Sequence, residues 1–205
     1  ELRRDIAAIS QPGEDEIERL GRLDRDLGRL FAESAQALLA TTNYQADEVA
    51  AIGSHGQTIR HRPPSAGNHT PFTLQIGDPN TIAELTGITT IADFRRRDIA
   101  AGGEGAPLAP GFHAAAFARE GRNRAVVNIG GIANITLLSG TLLVSGFDTG
   151  PGNTLLDHWI QRHRDLGYDR DGQWAAEGQV SMALLERLRD HPYLTRRGPR
   201  STGKE

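Results

Sequence analysis

Three apolar runs crowd into residues 125–147: Ala125–Ile129, Ile132–Leu138 and Leu142–Phe147. Gly130-Gly131 and Ser139-Gly140 punctuate them, and links that short read as hairpin-type turns. A three-strand meander is therefore expected there. Strands and helices alternate around it. Apolar residues at Ile17, Leu20, Leu23, Leu27, Leu30, Phe31, Leu38 and Leu39 predict an amphipathic helix over 15–39, its start punctuated by Pro12-Gly13. Val49–Ile52, Phe72–Ile76 and Ile88–Ala92 read as strands. Asp78 as N-cap and Pro79 at the first helical position predict a helix to Leu85 or Thr86, ended by Gly87. The Gly- and Pro-rich stretch Ala100–Gly111 reads as a long loop feeding a helix over 112–119. Further helices are expected near 153–164 and 176–189. The alternation argues an α/β protein. A boundary is expected at 121–124, dividing the chain into 1–123 and 124–205.

Composition works by exclusion. A formal charge of −3 and a pI near 6.2 argue against a nucleic-acid or membrane-surface binder. The absence of Cys excludes a disulfide scaffold, a thiolate zinc site and a cysteine nucleophile. No apolar run approaches the roughly 20 residues of a membrane span, and no secretory leader opens the chain, so a soluble cytoplasmic protein is expected.

Four clusters carry possible chemistry. Gly53-Ser54-His55-Gly56-Gln57-Thr58 is a polar loop after a buried strand, where α/β sheets bind ligands. Ser54 beside His55 is no triad, since neighbours in a strand point to opposite faces. Asp93-Phe94-Arg95-Arg96-Arg97-Asp98, followed by Ala101–Pro107, offers arginine forks for a carboxylate or phosphate, or is a solvated, self-paired loop. In Asn128-Ile129-Gly130-Gly131-Ile132-Ala133-Asn134, the glycine turn offers backbone N–H groups to phosphate oxygens, or is a plain hairpin turn. Gly146-Phe147-Asp148-Thr149-Gly150-Pro151-Gly152-Asn153 sets a carboxylate in a glycine-rich loop at a strand end, ahead of a helix N-terminus. Asp148 there can serve as a base, hold a metal through water, or merely cap backbone in an Asx-turn. Two patterns are decoys. Gly198–Lys204 matches the start of a phosphate-binding Walker loop, but Glu205 stands where Ser or Thr is required. His158 and His163 are five apart, off one helical face, so no metal site is expected.

In order along the chain, these blocks resemble the anhydro-N-acetylmuramic acid kinases of bacterial cell-wall recycling. The resemblance rests on Ile52–Thr58, Gln75–Asn80, Ala92–Arg95, Asp98–Gly103, Gly105–Leu108, Asn128–Asn134, Phe147–Asn153 and Ser201–Gly203. It implies a ribonuclease-H-like fold of the sugar-kinase and actin type, two α/β domains facing each other across a nucleotide cleft. Residues 1–123 would be the later part of the first domain and 124–205 the opening of the second. The implied reaction hydrolyses the 1,6-anhydro bond of anhydro-N-acetylmuramic acid and phosphorylates O6 from ATP with Mg²⁺.

The resemblance makes Asp148 the catalytic base. It implies nucleotide contacts at Asn128, Gly130, Gly131 and Asn134. Gly150, Gly152 and Asn153 would line the sugar or γ-phosphate, with His55, Gln57, Asp93 and Arg95 on the sugar face. Arg95 would meet the lactyl carboxylate. A homodimer is implied, with no nucleic-acid or membrane partner. The family's opening phosphate loop and its last third are missing, so an internal fragment, inactive alone, is expected. Two alternatives stay open: a kinase of another N-acetylhexosamine, and a catalytically silent sugar-binding module.

Overall fold

The structure, a computed structural model, describes residues 2–67, 70–196 and 200–201. It is a mixed α/β chain that divides into two compact units, Glu1–Gly105 and Ala106–Glu205. Among the described residues no helix is long and apolar enough to cross a membrane.

The first unit opens with a helix that the sequence reading did not anticipate, α1 (Leu2–Ile9), followed by α2 (Glu16–Ala40) where the periodicity predicts one. Strand β1 (Ile52–Gly53) pairs in parallel with β4 (Thr90–Ile91), and β2 (Gln57–Arg62) pairs antiparallel with β3 (Phe72–Ile76). Helices α3 (Pro79–Thr86) and α4 (Arg96–Ala100) complete the unit. Its core gathers Ile9, Leu23, Leu27, Ile59 and Ile76, so α1 and α2 cover one face of the β2–β3 hairpin. Each such side chain contributes about 1.5–3 kcal/mol on burial. The expected apolar stripe of α2 is wider than the face it buries: Ile17 stays 83% exposed.

Two outcomes differ from the strand expectations. Of Val49–Ile52 only Ile52 enters the ladder, with Gly53 after it, and of Ile88–Ala92 only Thr90 and Ile91; residues 46–48 ahead of them wind into a 3₁₀ turn. Gln57 and Thr58, expected in a loop, begin β2 opposite Ile76 and Gln75.

Helix α3 starts as predicted. Asp78 accepts from the backbone N–H of Asn80 and of Thr81, each at 3.0 Å, and from the Asn80 side chain at 2.9 Å. Burial raises the Asp78 pKa, but the Thr81 and Asn80 hydrogen bonds outweigh it and hold the group below its ordinary 3.8. A lowered folded pKa means stability present above that ordinary value and lost as pH falls through the folded one. Asp78→Ala is expected to cost about 1 kcal/mol in urea denaturation at neutral pH. The difference from wild type should shrink as the titration runs below 3.8.

The second unit contains α5 (Ala109–Phe117), the antiparallel meander β5 (Asn123–Ile129), β6 (Ile132–Ser139) and β7 (Leu142–Pro151), and α6 (Asn153–Arg164). Short helices follow: α7 (Gln173–Ala176), α8 (Met182–Arg189) and α9 (Pro192–Thr195). The single helix expected near 176–189 is thus broken; it restarts at Ser181, whose hydroxyl accepts from the Leu184 N–H. Helix α5 packs on one sheet face. A Cβ at Gly146 would lie 2.3 Å from Pro110, and His113 Nδ1 sits 2.8 Å from Thr136 Oγ1, a residue with no exposed surface. That packing joins α5 to the compact unit that holds the meander.

Candidate active site

In the first unit, β1 delivers Ser54 into a buried position, its N–H bonded to the Ile91 carbonyl at 2.8 Å. Gly56 then turns the chain with φ 73°, and a Cβ there would meet the Ile76 carbonyl at 2.6 Å. The tight turn leaves His55 exposed beside Arg95. Arg95 Nε donates to His55 Nε2 at 2.7 Å, and Arg95 Nη1 donates to the Gly105 carbonyl at 2.9 Å. An accepting Nε2 puts the imidazole proton on Nδ1, which lies 2.7 Å from the Gly56 carbonyl. Both ring nitrogens are therefore used to aim one guanidinium.

The loop behind Arg95 winds around Asp98, whose carboxylate accepts from the Gly105 N–H at 2.7 Å. This presents the Gly105 carbonyl to Arg95. Asp93 takes a left-handed conformation, φ 59°, and binds Arg96 through Nε at 2.7 Å and Nη2 at 2.6 Å. The hydrogen bond to Asp93, then its charge, raises the Arg96 pKa. Gln57 is exposed at the start of β2, and its amide donates to the Thr58 carbonyl at 3.0 Å. A shallow hollow here is lined by His55, Gly56, Asp93, Arg96, Gln75 and Asp24. No role is expected from the sequence for Gln75, which opens one of the resemblance blocks, or for Asp24, which no short motif connects to His55.

In the second unit, strand register assembles a group of polar side chains. Asn128 pairs with Asn134, and Asn134 with Asp148, so the three lie in one row across the meander on one face. Two residues along, Val126, Thr136 and Gly146 form the next row on that same face, and there α5 covers it. The pairing shifts at Thr149, which stands as an extra residue between Asp148 and Gly150 and donates through Oγ1 to the Ala133 carbonyl at 3.0 Å. A bulge of this kind re-aims the side chains beside it.

Asp148 is only 6% exposed. Its N–H donates to the Arg200 carbonyl at 3.0 Å, and its own carbonyl accepts from Tyr193 Oη at 2.8 Å and Arg200 Nε at 3.0 Å. Ser201 Oγ donates to Asp148 Oδ2 at 3.1 Å. Burial, then the negative charge of Asp148, pushes the Tyr193 phenol above its ordinary 10.0, which keeps it a donor at neutral pH.

Two expectations are corrected here. Asp148 sits within β7 and not in a loop, because the β6–β7 ladder continues to Pro151, a residue tolerated at the end of an edge strand. The helix start after it is not an open anion site. The N–H groups of Gly152, Asn153 and Thr154 donate to the carbonyls of Gly131, Gly130 and Gly131 at 2.9, 2.8 and 3.1 Å. The hairpin turn thus caps α6, and close approach explains its glycines: a Cβ at Gly131 would lie 2.6 Å from Thr154 Oγ1. Gly150 has φ 147°, a conformation that favours glycine.

Of the Walker-like stretch 198–204, only Arg200 and Ser201 are among the described residues; Thr202 and Gly203 lie outside them. His163 packs between Trp159 and Trp174, with ring centroids 4.2 and 6.1 Å away. No group of three or more His, Cys, Asp or Glu side chains converges as a metal site among the described residues.

The family model described as anhydro-N-acetylmuramic acid kinase matches residues 1–205. Three curated proteins of that name are similar along the whole chain. The one from Saccharophagus degradans is 52% identical over 204 residues, that from Shewanella oneidensis 56% over 205, and that from Shewanella sp. strain ANA-3 55% over 205. The chain covers 55% of each, so it spans about half the length of the curated relatives it matches.

Proposed function

The chain belongs to the anhydro-N-acetylmuramic acid kinase family, and from that premise we propose that it is part of an ATP-dependent kinase acting on anhydro-N-acetylmuramic acid. The carrying observation is Asp148, a nearly buried carboxylate in one row with Asn128 and Asn134. Residues 1–123 are read as the later part of one ribonuclease-H-like domain and 124–205 as the opening of another. A cytoplasmic homodimer is part of the same reading.

The chemistry follows from what each group can do. Asp148 takes a proton from a water molecule as that water's oxygen bonds to the anomeric carbon. The bond from that carbon to O6 breaks, and O6 receives the γ-phosphoryl, leaving ADP and N-acetylmuramic acid 6-phosphate. Phosphoryl transfer needs mainly positioning and charge stabilisation. Asn128, Asn134 and the backbone of the Gly130-Gly131 turn would hold phosphates. Gly150, Gly152 and Asn153 would line the sugar or γ-phosphate. The oxygen donors of the row, Asp148 through water and the two Asn amides, fit Mg²⁺ arriving on the nucleotide. When bound, that ion neutralises phosphate charge.

On the sugar side, Arg95 meets the lactyl carboxylate while His55 and Gly105 hold its fork, with Gln57 and Asp93 beside them. The whole protein, given ATP and the anhydro sugar, should release ADP and N-acetylmuramic acid 6-phosphate, identified by mass spectrometry. Arg95→Ala should raise the KM for the sugar by about tenfold or more, the worth of a charge-assisted hydrogen bond, with a smaller change in kcat. Phosphorylation of N-acetylglucosamine at an equal rate would defeat the substrate assignment, and an unchanged KM would make Arg95 structural.

A further inference from the structure

We infer that Ser201 is a positioning residue for the base, orienting the Asp148 carboxylate through its hydroxyl. The inference rests on the proposed role of Asp148. It comes from contacts that no motif around Asp148 contains. Ser201 is 4% exposed and Asp148 6%, so their 3.1 Å hydrogen bond is made out of water. There a bond to a charged oxygen is strong and directional.

The main chain around the pair is held as well. The Asp148 N–H is bonded to the Arg200 carbonyl, and the Asp148 carbonyl to Arg200 Nε and Tyr193 Oη. Arg200 in turn lies over the rings of Phe147 and Tyr193, at 5.2 and 5.0 Å from their centroids. Its Nη1 donates to the Arg196 carbonyl at 2.6 Å and the Tyr193 carbonyl at 3.3 Å. Residues 200 and 201 therefore grip Asp148 at its amide, its carbonyl and its carboxylate. The backbone bonds fix where the residue sits. Among these contacts Ser201 is the one that meets the side-chain carboxylate, and a base must point its oxygen at the water it deprotonates.

The test uses the whole protein with ATP and the anhydro sugar. Ser201→Ala should lower kcat about tenfold, the effect of one hydrogen bond to a charged group, with KM for both substrates within twofold. Ser201→Thr, which keeps the hydroxyl, should recover most of the loss. In the Asp148→Asn background, Ser201→Ala should change kcat less than twofold, because a group acting through Asp148 has nothing left to position. Full multiplication of the two losses would overturn the inference, as would an unchanged kcat in Ser201→Ala. High activity in Asp148→Asn alone would instead remove the base assignment, whatever Ser201 does.

Discussion

Replacing Asp148 by Asn in the whole protein is expected to lower turnover by a factor of about 10²–10⁴, the contribution of a positioned general base. Binding should survive. Asn has the same shape, and its amide oxygen can still accept the Ser201 hydroxyl and sit in the row with Asn128 and Asn134. The backbone bonds from Tyr193 and Arg200 do not depend on the side chain at all. Calorimetry should therefore give sugar and nucleotide affinities close to wild type. A variant keeping more than about a tenth of the rate could not have lost a base of that size. Weakened binding with an intact rate would make Asp148 a substrate contact.

The largest structural effect is expected at Gly152. A Cβ there would lie 2.3 Å from the Gly130 carbonyl oxygen and 3.4 Å from the Ala133 nitrogen, both backbone atoms that cannot rotate away. Gly152→Ala must push the hairpin turn off the start of α6, loosening the bonds that tie residues 152–154 to Gly130 and Gly131. Overpacking of this kind costs about 1–3 kcal/mol. Because Asp148 lies four residues upstream on β7, activity should fall along with stability. Gly167→Ala is the control, since nothing lies within 4 Å of a Cβ at that position. Equal urea midpoints for the two variants would show that the turn and helix are not in close contact.

Much of the local structure was legible because its signals are local. The Asp78-Pro79 start and Gly87 end delimit α3 as anticipated, and the three apolar runs do form the meander β5–β7. Helix α6 begins at Asn153, directly after the glycine-rich stretch. The misses share one cause. Gly150 and Pro151 look like turn residues and so predict a loop at Asp148, yet cross-strand pairing with β6 carries β7 through them. The Gly130-Gly131 turn reads as a source of N–H groups, and nothing in its motif says that its carbonyls are engaged by a helix start about twenty residues on. The resemblance puts both Arg95 and His55 on the sugar face, but nothing in either motif says that the imidazole steers the guanidinium from forty positions away.

The sequence by itself determined the family, the meander, the long amphipathic helix and the residue types available for chemistry. Composition, turn punctuation and periodicity are properties of neighbouring residues and need no knowledge of what lies across space. Only the tertiary structure decided that Asn128, Asn134 and Asp148 share a row, because a one-residue change of register would send a side chain to the opposite face. It alone decided that Ser201, 53 residues further along, lies against the Asp148 carboxylate. Burial and hydrogen bonding between distant segments select such a contact, and no pattern of adjacent residues encodes it.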